Sequence, residues 1–320
     1  MTEVVRATSE GVNKAAEVIK KGGLVAFPTE TVYGLGADAL NPKAVVKIFE
    51  AKERPFFDPL IVHIADIDEL EKLCLYVDER AKALIERFWP GPLTIVLLKR
   101  EIVPDIVTAG LDTVAVRMPS HPVALSLIRA SGTPIAAPSA NRFGHLSPTE
   151  PEHVLSQLMG RIDLLLDGGK CPIGVESTII DLTGEPTLLR PGGLPLEEIE
   201  SIIGKVKILQ KSEKPRSPGQ LPRHYSPRTP LRVIESKNFK PPQGVRAGLL
   251  AFNGPAQREG FVIVQVLSPS GDLREAACNL FSCLHRLDSA NLDVIYAEAL
   301  PEEGLGRAIM DRLRRAEGLK

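Results

Sequence analysis

Short apolar runs alternate with amphipathic segments along the first 209 residues of this 320-residue chain. Between Gly11 and Lys21, apolar residues recur at helical spacing, and Leu24–Phe27 then has the composition of a short buried strand. Asn41 followed by Pro42 is typical of a helix start, a capping residue and then proline in the first turn. Strands and helices intermix without a strict βαβ repeat. The pattern therefore predicts an α/β fold whose mixed, twisted sheet is packed by helices.

The same reading places the other elements of this region. Strands are predicted at Leu60–Ile64, Leu93–Leu98, Val114–Met118, Ile135–Ala137, Leu164–Leu166, Ser177–Asp181 and Leu188–Arg190. Helices are predicted at Pro42–Ala51, Ile67–Leu73, Glu79–Phe88, Pro122–Ala130, Pro151–Leu158 and Leu196–Ile203.

A polar, proline-rich segment from Gln210 to Pro230 interrupts the apolar periodicity and is interpreted as a linker. It divides the chain into a domain over residues 1–209 and a smaller one over residues 231–320. In the smaller domain, strands alternate with helices, which predicts a small, Rossmann-like parallel sheet. Its strands are predicted at Leu231–Ile234, Gly248–Phe252, Val262–Leu267 and Val294–Tyr296, and its helices at Leu273–Leu287 and Leu305–Ala316.

Composition argues against several classes of protein. Hydrophobic residues form 43% of the chain, enough for a continuous core, and the net charge of −1 argues against a broad nucleic-acid-binding face. No apolar run approaches the length of a membrane-spanning helix, and the N-terminal residues lack a signal-peptide pattern. The four cysteines form no CxxC pair, so we expect reduced thiols, no structural zinc site and a cytosolic location.

A segment dense in hydroxyls and glycines, Thr29 to Gly36, follows the first predicted strand and suits close approach of a ligand to the backbone. Within it, the residues from Gly34 to Ala39 match the loose dinucleotide fingerprint GxGxxA. The helix that Pro42 opens begins too late for that fingerprint, which argues against a dinucleotide site. The P-loop pattern GxxxxGK followed by Ser or Thr is absent from the sequence, which excludes a P-loop nucleotide site.

Two cations lie close together where the helix opened by Pro42 ends, in Lys52-Glu53-Arg54-Pro55. If the chain is extended there, both can point into one pocket and bind phosphate, Lys52 as a point charge and Arg54 as a forked donor. Favourable interaction with the negative end of the helix dipole explains the same pattern more simply. Taken alone, this segment favours the simpler explanation.

Small polar residues, Ser139 and Asn141, directly follow the predicted strand Ile135–Ala137. Ligands of open α/β sheets bind at the carboxyl ends of strands, and residues two apart on an extended chain face the same way. An ordinary turn uses the same residue types. The two interpretations are equally compatible with the sequence.

Three basic side chains lie within or at the end of apolar strands. A buried Arg117 must be paired, either with a substrate carboxylate or with a structural Asp or Glu. A histidine such as His63 inside a strand is more often a hydrogen-bonded core residue than a catalytic one. Arg190, before Gly192-Gly193, fits phosphate binding or the capping of the domain surface.

Together these segments resemble the threonylcarbamoyl-AMP synthase family, which is built on a YrdC-type domain. The matching stretches are PTETVYGLGADA from Pro28, KERPFFDPLIVHI from Lys52, FWPGPLT from Phe88, TAGLDTVAVRMPSHP from Thr108, APSAN from Ala137, LLLDGG from Leu164, GVESTIIDL from Gly174 and LLRPGG from Leu188. SPGQLPRHYSP from Ser217 and LPEEGLGRAIMDRLRRA from Leu300 are similar to the linker and final helix of the family's long, two-domain form.

The resemblance implies a nucleotidyltransferase that combines L-threonine, bicarbonate and ATP into threonylcarbamoyl-AMP and releases pyrophosphate. A separate transferase then moves the threonylcarbamoyl group onto an adenosine beside the tRNA anticodon. Mg²⁺ would accompany ATP, with no metal held tightly by the protein, and direct tRNA binding would be weak or absent.

The resemblance also implies site residues. Lys52 and Arg54 would be catalytic. The implied ATP site is Lys52, Arg54, Asp58, Thr113, Ser139, Asn141, Ser147, Arg190, His224 and Tyr225. The implied threonine site is Thr31, His63, Arg117, Ala137 and Ser177. The linker, through His224 and Tyr225, would close over the pocket as a lid.

The chain departs from the family pattern at three places. Glu53 stands where a small or basic residue is commoner, and Phe56-Phe57-Asp58 replaces a more polar stretch that ends in asparagine. Gln220-Leu221-Pro222 replaces the usual Met-Lys-Tyr before Arg223-His224-Tyr225. Asp58 would place a negative charge near phosphates unless a metal intervenes. Two other functions stay open on sequence: a carbamoyl-adenylating enzyme that uses carbamoyl phosphate, and a non-catalytic RNA-binding module.

Overall fold

Two β-sheets organise the chain in the computed structural model, which describes residues 1–209, 216–219, 224–236, 239–254 and 258–318. The predicted departure at Gln220-Leu221-Pro222, and Arg223 beside it, lie outside the described residues, as does part of the predicted linker.

The larger sheet is mixed, as the sequence predicts. Its strands among the described residues are β1 (Glu3–Arg6), β2 (Val25–Phe27), β3 (Gly34–Asp38), β4 (Ile61–His63), β5 (Leu93–Leu98), β6 (Thr113–Arg117), β7 (Ile135–Ala136), β8 (Leu164–Asp167), β9 (Thr178–Asp181), β10 (Thr187–Arg190) and β11 (Lys207–Ile208). They lie in the order β1-β8-β2-β3-β7-β4-β6-β5-β9-β10-β11. Strands β4 and β6 are parallel, whereas β7 runs antiparallel to β4. The carboxyl ends of β4 and β6 therefore meet at one edge.

Eight helices accompany this sheet among the described residues, and α2 begins where the Asn41-Pro42 capping signal predicts. They are α1 (Ser9–Lys20), α2 (Pro42–Lys52), α3 (Asp68–Leu73), α4 (Glu79–Phe88), α5 (Asp105–Thr108), α6 (Pro122–Ser131), α7 (Pro151–Leu158) and α8 (Leu196–Ile203). At the start of α2, the Asn41 side chain accepts hydrogen bonds from the backbone of Lys43 and Ala44, and Pro42 occupies the first turn.

The smaller sheet is parallel throughout and confirms the predicted C-terminal architecture. It comprises β12 (Leu231–Ile234), β13 (Ala247–Ala251), β14 (Ile263–Val266) and β15 (Val294–Glu298), in the order β12-β15-β13-β14. Helices α9 (Leu273–Asp288) and α10 (Leu305–Glu317) complete this unit. Pairing is parallel at each of its strand junctions.

One element corrects the sequence prediction. The glycine-rich stretch, to which the sequence analysis assigned no strand or helix, forms β3 from Gly34 onward, antiparallel to β2. A Cβ atom at Gly36 would lie 2.8 Å from both the Phe27 ring and the Ile135 side chain. Glycine is therefore required here to let two neighbouring side chains pack over the strand, and not to make a turn. Strands β1 and β11 and helix α5 were not predicted either.

The two units share a hydrophobic core. Val32, Leu146 and Val175 of the first unit belong to the same buried cluster as Leu280 and Phe281 of α9. This contact fixes the smaller unit against the loops that follow the strands of the larger sheet. No helix among the described residues combines the length and hydrophobicity needed to cross a bilayer.

Candidate active site

A cavity opens where the larger sheet, the segment at 216–219 and the segment at 224–226 meet. Many strand ends contribute to it: His63 ends β4, Arg117 ends β6 and Arg190 ends β10. Ten of the predicted site residues line the cavity, namely Thr31, Arg54, His63, Arg117, Ala137, Ser139, Ser177, Arg190, His224 and Tyr225. Segments remote in sequence thus converge on one place, as the motifs predict.

Lys52 lies directly behind the Ser139 loop. Its Nζ atom donates hydrogen bonds of 2.5 Å to the backbone carbonyls of Ser139 and of Asn141, and its side chain is buried. Burial lowers the pKa of Lys52 well below its ordinary value, and the Arg54 guanidinium lowers it further. Lysine and loop are therefore a single unit, and the ammonium group orients the backbone that lines the cavity.

Arg54 forms a buried ion pair with Asp58. The Nη2 atom of Arg54 lies 2.9 Å from Oδ2 of Asp58 and donates a 2.8 Å hydrogen bond to the Pro59 carbonyl. Burial raises the pKa of Asp58, against the pull of Arg54 and Lys52. The Asp58 departure therefore places a carboxylate against a cation of the site, where it offsets part of the positive charge.

Arg117 is held by groups of the protein itself. Its Nη2 atom lies 2.6 Å from a carboxylate oxygen of Glu30, its Nη1 donates to the Thr31 hydroxyl at 3.0 Å, and its Nε donates to the Gly91 carbonyl. The sequence left two partners open for Arg117, a substrate carboxylate or an acidic residue of the protein, and the structure shows the acidic residue Glu30. Glu30, which the sequence reasoning missed, fixes the orientation of the guanidinium at the cavity wall.

Arg190 also lines the cavity and binds Ser177, another lining residue. Its Nη2 donates to the Ser177 carbonyl at 2.9 Å and to the Ser177 hydroxyl at 3.1 Å, and this hydroxyl also pairs with Thr94 at 2.8 Å. Burial lowers the pKa of Arg190, yet an arginine stays charged at any physiological pH. The side chain joins β10 to the segment before β9 and lies inside the protein, so it does not cap the domain surface.

Two histidines of the site are buried and neutral at physiological pH. Burial and the neighbouring Arg117 lower the pKa of His63 to about 3. Burial, Arg54 and Lys52 lower that of His224 well below its ordinary value. Both rings have a buried Nδ1 atom without a hydrogen-bond partner among the described residues, so each can still pair with a polar ligand.

Ser147 lies one layer behind the cavity. Its hydroxyl donates a 2.5 Å hydrogen bond to Glu176, which lines the cavity, and Glu176 in turn pairs with Arg312 of α10 at 2.9 Å. Neither Glu176 nor Arg312 was singled out from the sequence as a site residue. A charged residue beside an apolar strand, in Gly174-Val175-Glu176-Ser177, was the available signal for Glu176.

Besides Lys52, Asp58 and Ser147, which lie behind the walls, two further predicted residues do not line the cavity. The backbone N–H of Asn141 donates to the Ser139 carbonyl at 3.0 Å, so the chain makes the tight turn, which is one of the two interpretations that the sequence left open. The Asn141 side chain therefore points to the Arg142 and His145 carbonyls. Thr113 begins β6, four residues before Arg117, and thus lies roughly 13 Å away along the strand. This geometry does not support the predicted place of Thr113 in the ATP site.

Glu53 lies on the surface. It ends α2 in the left-handed conformation, with φ of 54°, and its exposed carboxylate pairs with Arg142 at 2.5 Å and Arg161 at 2.7 Å. Hydrogen bonds from these two arginines lower the pKa of Glu53. Its negative charge is neutralised outside the cavity.

Tyr225 closes the cavity in a strained backbone conformation. It is a buried, non-glycine residue with φ of 60°, a conformation that persists only where the surroundings enforce it. Next to it, the backbone N–H of Ser226 donates to the Gly144 carbonyl at 2.8 Å. Between the described residues, the cavity has a volume of only about 40 Å³. Typical small-molecule sites have volumes of roughly 300–1,000 Å³.

Positive charge predominates around this cavity. Five buried cations and three buried carboxylates lie in or directly behind its described walls, namely Lys52, Arg54, Arg117, Arg190, Arg312, Glu30, Asp58 and Glu176. Asp311 also pairs with Arg312, so three of the four arginines are paired with carboxylates. Arg190, by contrast, donates to neutral groups of Ser177 and Pro218. Since an uncompensated buried charge is costly, the arrangement favours an anionic ligand. No cluster of three or more His, Cys, Asp or Glu side chains suited to a metal ion occurs in the part of the chain that the structure describes.

Fold and site together define an α/β protein of the YrdC type, with a cation-rich cavity closed by the segment between its two units. Two family models match the chain: one described as "Telomere recombination" (Sua5, YciO and YrdC) over residues 17–192, and one described as "Threonylcarbamoyl-AMP synthase, C-terminal domain" over residues 194–318. The chain belongs to the threonylcarbamoyl-AMP synthase family.

Relatives and solved structures agree over nearly the full length. The chain is 48% identical to the threonylcarbamoyl-AMP synthase of Pyrococcus abyssi, over 96% of this chain and 94% of the relative. It is 45% identical to that of Bacillus subtilis, over 99% and 96%. A crystal structure of P. abyssi Sua5 complexed with L-threonine matches with a TM-score of 0.91 and 45% identity, over 99% of this chain and 97% of that one.

Proposed function

We propose that this protein is an L-threonylcarbamoyladenylate synthase, which converts L-threonine, bicarbonate and ATP into threonylcarbamoyl-AMP and pyrophosphate. Its product would serve the threonylcarbamoyl modification of tRNA next to the anticodon, in the cytoplasm. The observation that carries the proposal is the excess of buried positive charge around one closed cavity in a member of this family.

The chemistry needs such a site. Condensation of the threonine amine with bicarbonate releases water and gives a carbamate, whose oxygen then attacks the α-phosphorus of ATP while the bond to pyrophosphate breaks. Nucleophile and electrophile are both anionic, so fixed cations must offset their repulsion. Lys52, Arg54 and Arg190 are proposed for this role. Mg²⁺ would enter as part of the ATP complex.

The nucleotide is proposed to lie on the side of Arg54, Ser139, Arg190 and the 224–225 segment. Asp58, Asn141 and Ser147 would support this side from behind, through Arg54, Lys52 and Glu176 respectively. Thr113 stays a prediction that the strand geometry does not favour.

Threonine is proposed to lie against Thr31, His63, Arg117, Ala137 and Ser177. Arg117 would hold the threonine carboxylate, oriented by Glu30. Because His63 is neutral, it can act as a hydrogen-bond partner of threonine without adding charge.

The segment over residues 210–230 is proposed to be a lid between a catalytic domain at 1–209 and a C-terminal domain at 231–320. Carbamates hydrolyse readily, so water must be kept from the reacting groups. The narrow cavity under His224 and Tyr225 fits a closed state, and ATP would need the lid to open.

The proposal is tested by incubating the protein with ATP, Mg²⁺, bicarbonate and labelled threonine, followed by chromatography for the mixed anhydride. We expect label in an AMP-containing product and stoichiometric pyrophosphate, both dependent on bicarbonate and threonine. AMP formation with carbamoyl phosphate in place of threonine would instead identify a carbamoyl-adenylating enzyme. Tight, salt-sensitive tRNA binding without ATP turnover would identify a binding module.

A downstream transferase remains the proposed partner.

A further inference from the structure

Arg312 of the C-terminal unit reaches into the wall of the proposed nucleotide site. It lies on α10, its side chain is 0% exposed, and its Nε donates to Oε2 of Glu176 at 2.9 Å. Its Nη1 donates to the Pro191 carbonyl at 2.8 Å. Its guanidinium carbon lies 4.9 Å from the centre of the Tyr225 ring. One side chain thus contacts three separate segments around the cavity.

From these contacts we infer that Arg312 is a positioning residue of the proposed synthase, by which the C-terminal domain holds Glu176 and Tyr225 in place for nucleotide binding. The inference rests on the proposed function and extends it to a residue that no motif of the first domain contains. Arg312 acts through its neighbours and does not line the cavity itself.

The link to the nucleotide side runs through Glu176. One oxygen of this carboxylate accepts from Arg312 and the other accepts from Ser147 at 2.5 Å. Burial raises the pKa of Glu176, but Arg312 and Arg190 more than offset this, so the pKa stays below its usual value and the group is ionised. An ionised carboxylate accepts from both partners at once, so removing Arg312 would release Ser147 as well.

The second link runs through Tyr225. A guanidinium stacked on an aromatic face stabilises the ring, and this ring belongs to a residue with a strained left-handed backbone. Asp311 supports the arrangement, since its Oδ2 accepts from Arg312 Nη1 at 2.7 Å. Only arginine offers a stacking face together with donors along two edges, so lysine is a poor substitute here.

A simpler role for Arg312 is to stabilise the contact between the two domains. That role predicts lower stability with no preference for one substrate, whereas the positioning role predicts a selective defect on the nucleotide side. None of the contacts of Arg312 described above involves Thr31, His63 or Arg117, so threonine binding should be spared.

The test compares Arg312→Met and Arg312→Lys with Arg314→Met, a control two residues later on α10. Arg314 is about half exposed and its contacts are with Glu302, away from the cavity. We expect both Arg312 variants to raise the KM for ATP at least tenfold and to change the KM for threonine less than twofold. Arg314→Met should match the wild type. Equal rises in both KM values, or no change in a folded variant, would overturn the inference.

Glu176→Gln provides a second test that does not depend on the folding of Arg312→Met, and a double-mutant cycle combines the two variants. Glu176→Gln keeps the size of the side chain but removes its charge, and it leaves one acceptor oxygen for the two donors Arg312 and Ser147. If Arg312 acts through Glu176, the double variant should lose no more ATP affinity than the worse single variant. Independent, multiplying losses would contradict this.

Binding measurements separate this inference from the proposed function. Affinities for a non-hydrolysable ATP analogue and for threonine can be measured by calorimetry without turnover. A wild type that binds the analogue but makes no threonylcarbamoyl-AMP would refute the proposed function, while Arg312 would still be judged by a selective loss of analogue binding. A wild type that binds no analogue would refute both.

Discussion

Arg54 and Asp58 form an ion pair in which both side chains are buried, with 2.9 Å between Nη2 and Oδ2. This pair lies at the cavity wall, behind which Lys52 holds the Ser139 loop. The carboxylate limits the positive charge that a bound nucleotide would meet. It also satisfies Arg54 while the phosphates are absent, because a buried unpaired guanidinium would be costly.

The first prediction follows from this pair. Asp58→Asn keeps the shape of the side chain but removes one negative charge near the proposed phosphate site. We expect the KM for ATP to fall about fivefold, equivalent to roughly 1 kcal/mol of Coulomb energy at an effective dielectric constant near 20. The effect should shrink as salt is raised. If Asp58 instead ligates the metal of Mg²⁺–ATP, the same variant will bind ATP less tightly, and steady-state kinetics distinguish the two.

The second prediction concerns Arg54 itself. Arg54→Ala alone leaves Asp58 buried without its partner, so the informative variant is Arg54→Ala combined with Asp58→Asn. We expect this double variant to form threonylcarbamoyl-AMP at least tenfold more slowly than Asp58→Asn, because one phosphate cation is gone. Arg161→Ala, which alters a surface pair with Glu53, is the matched control and should keep the wild-type rate. An unaffected rate in the folded double variant would remove Arg54 from the mechanism.

A third prediction addresses the threonine side. In Arg117→Lys, the ammonium group cannot contact Glu30, Thr31 and a substrate carboxylate with the geometry of a planar fork. We expect the KM for threonine to rise at least tenfold and the KM for ATP to stay within twofold. An unchanged threonine KM together with lower thermal stability would make Arg117 a purely structural partner of Glu30.

The fourth prediction concerns pH and the contact between the two units. His153 of α7 and His285 of α9 stack with ring centres 3.8 Å apart, and His285 Nε2 lies 3.2 Å from the Ser147 carbonyl. Burial and then His153 lower the pKa of His285 to about 4, and burial lowers that of His153. In the unfolded chain both would titrate near 6.5.

The sign follows from proton binding. Between about pH 6.5 and pH 4, the unfolded chain binds protons that the folded His285 does not, so the free energy of unfolding falls as pH falls. His285 alone should contribute roughly 1.4 kcal/mol per pH unit over this range. Urea unfolding at pH 7.5, 6.0 and 5.0 should show a shallower pH dependence for His285→Gln than for the wild type. Equal slopes would mean that His285 has the same pKa in the folded and the unfolded chain.

Much of this architecture was predictable because short apolar runs and capping residues are local signals. Glu79–Phe88, Pro151–Leu158 and Leu196–Ile203 form helices with the predicted bounds. Strand β3 was missed because its glycines, which make room for the Phe27 ring, are the residues that usually mark loops. The sequence shows where the glycines are, but it does not show that the Phe27 ring packs over them.

The candidate site shows the same contrast between what the sequence predicts and what it does not. Arg54, Ser139 and Arg190 line the same cavity, and each lies at or shortly after the end of a helix or strand. The acidic partners were not predictable, because pairing depends on tertiary contact: Glu176 and Arg312 are 136 positions apart. The sequence left a turn and an extended chain equally open at Asn141, because both use the same small polar residues, and the structure shows the turn.

The fifth prediction is that deleting Ser217 to Lys320 severely impairs turnover. The deletion removes Tyr225 from the cavity and Arg312 from behind its wall. It also exposes Val32 and Leu146, which pack in the shared core. Part of the loss will therefore come from lower stability. The full-length variant His224→Ala with Tyr225→Ala separates the effects, because it removes the closing side chains and retains the C-terminal domain. We expect this variant to form threonylcarbamoyl-AMP at least tenfold more slowly when it is assayed below its own unfolding temperature, which the loss of two buried side chains lowers. A truncated chain with full activity would show that the segment after Ser217 only connects two domains.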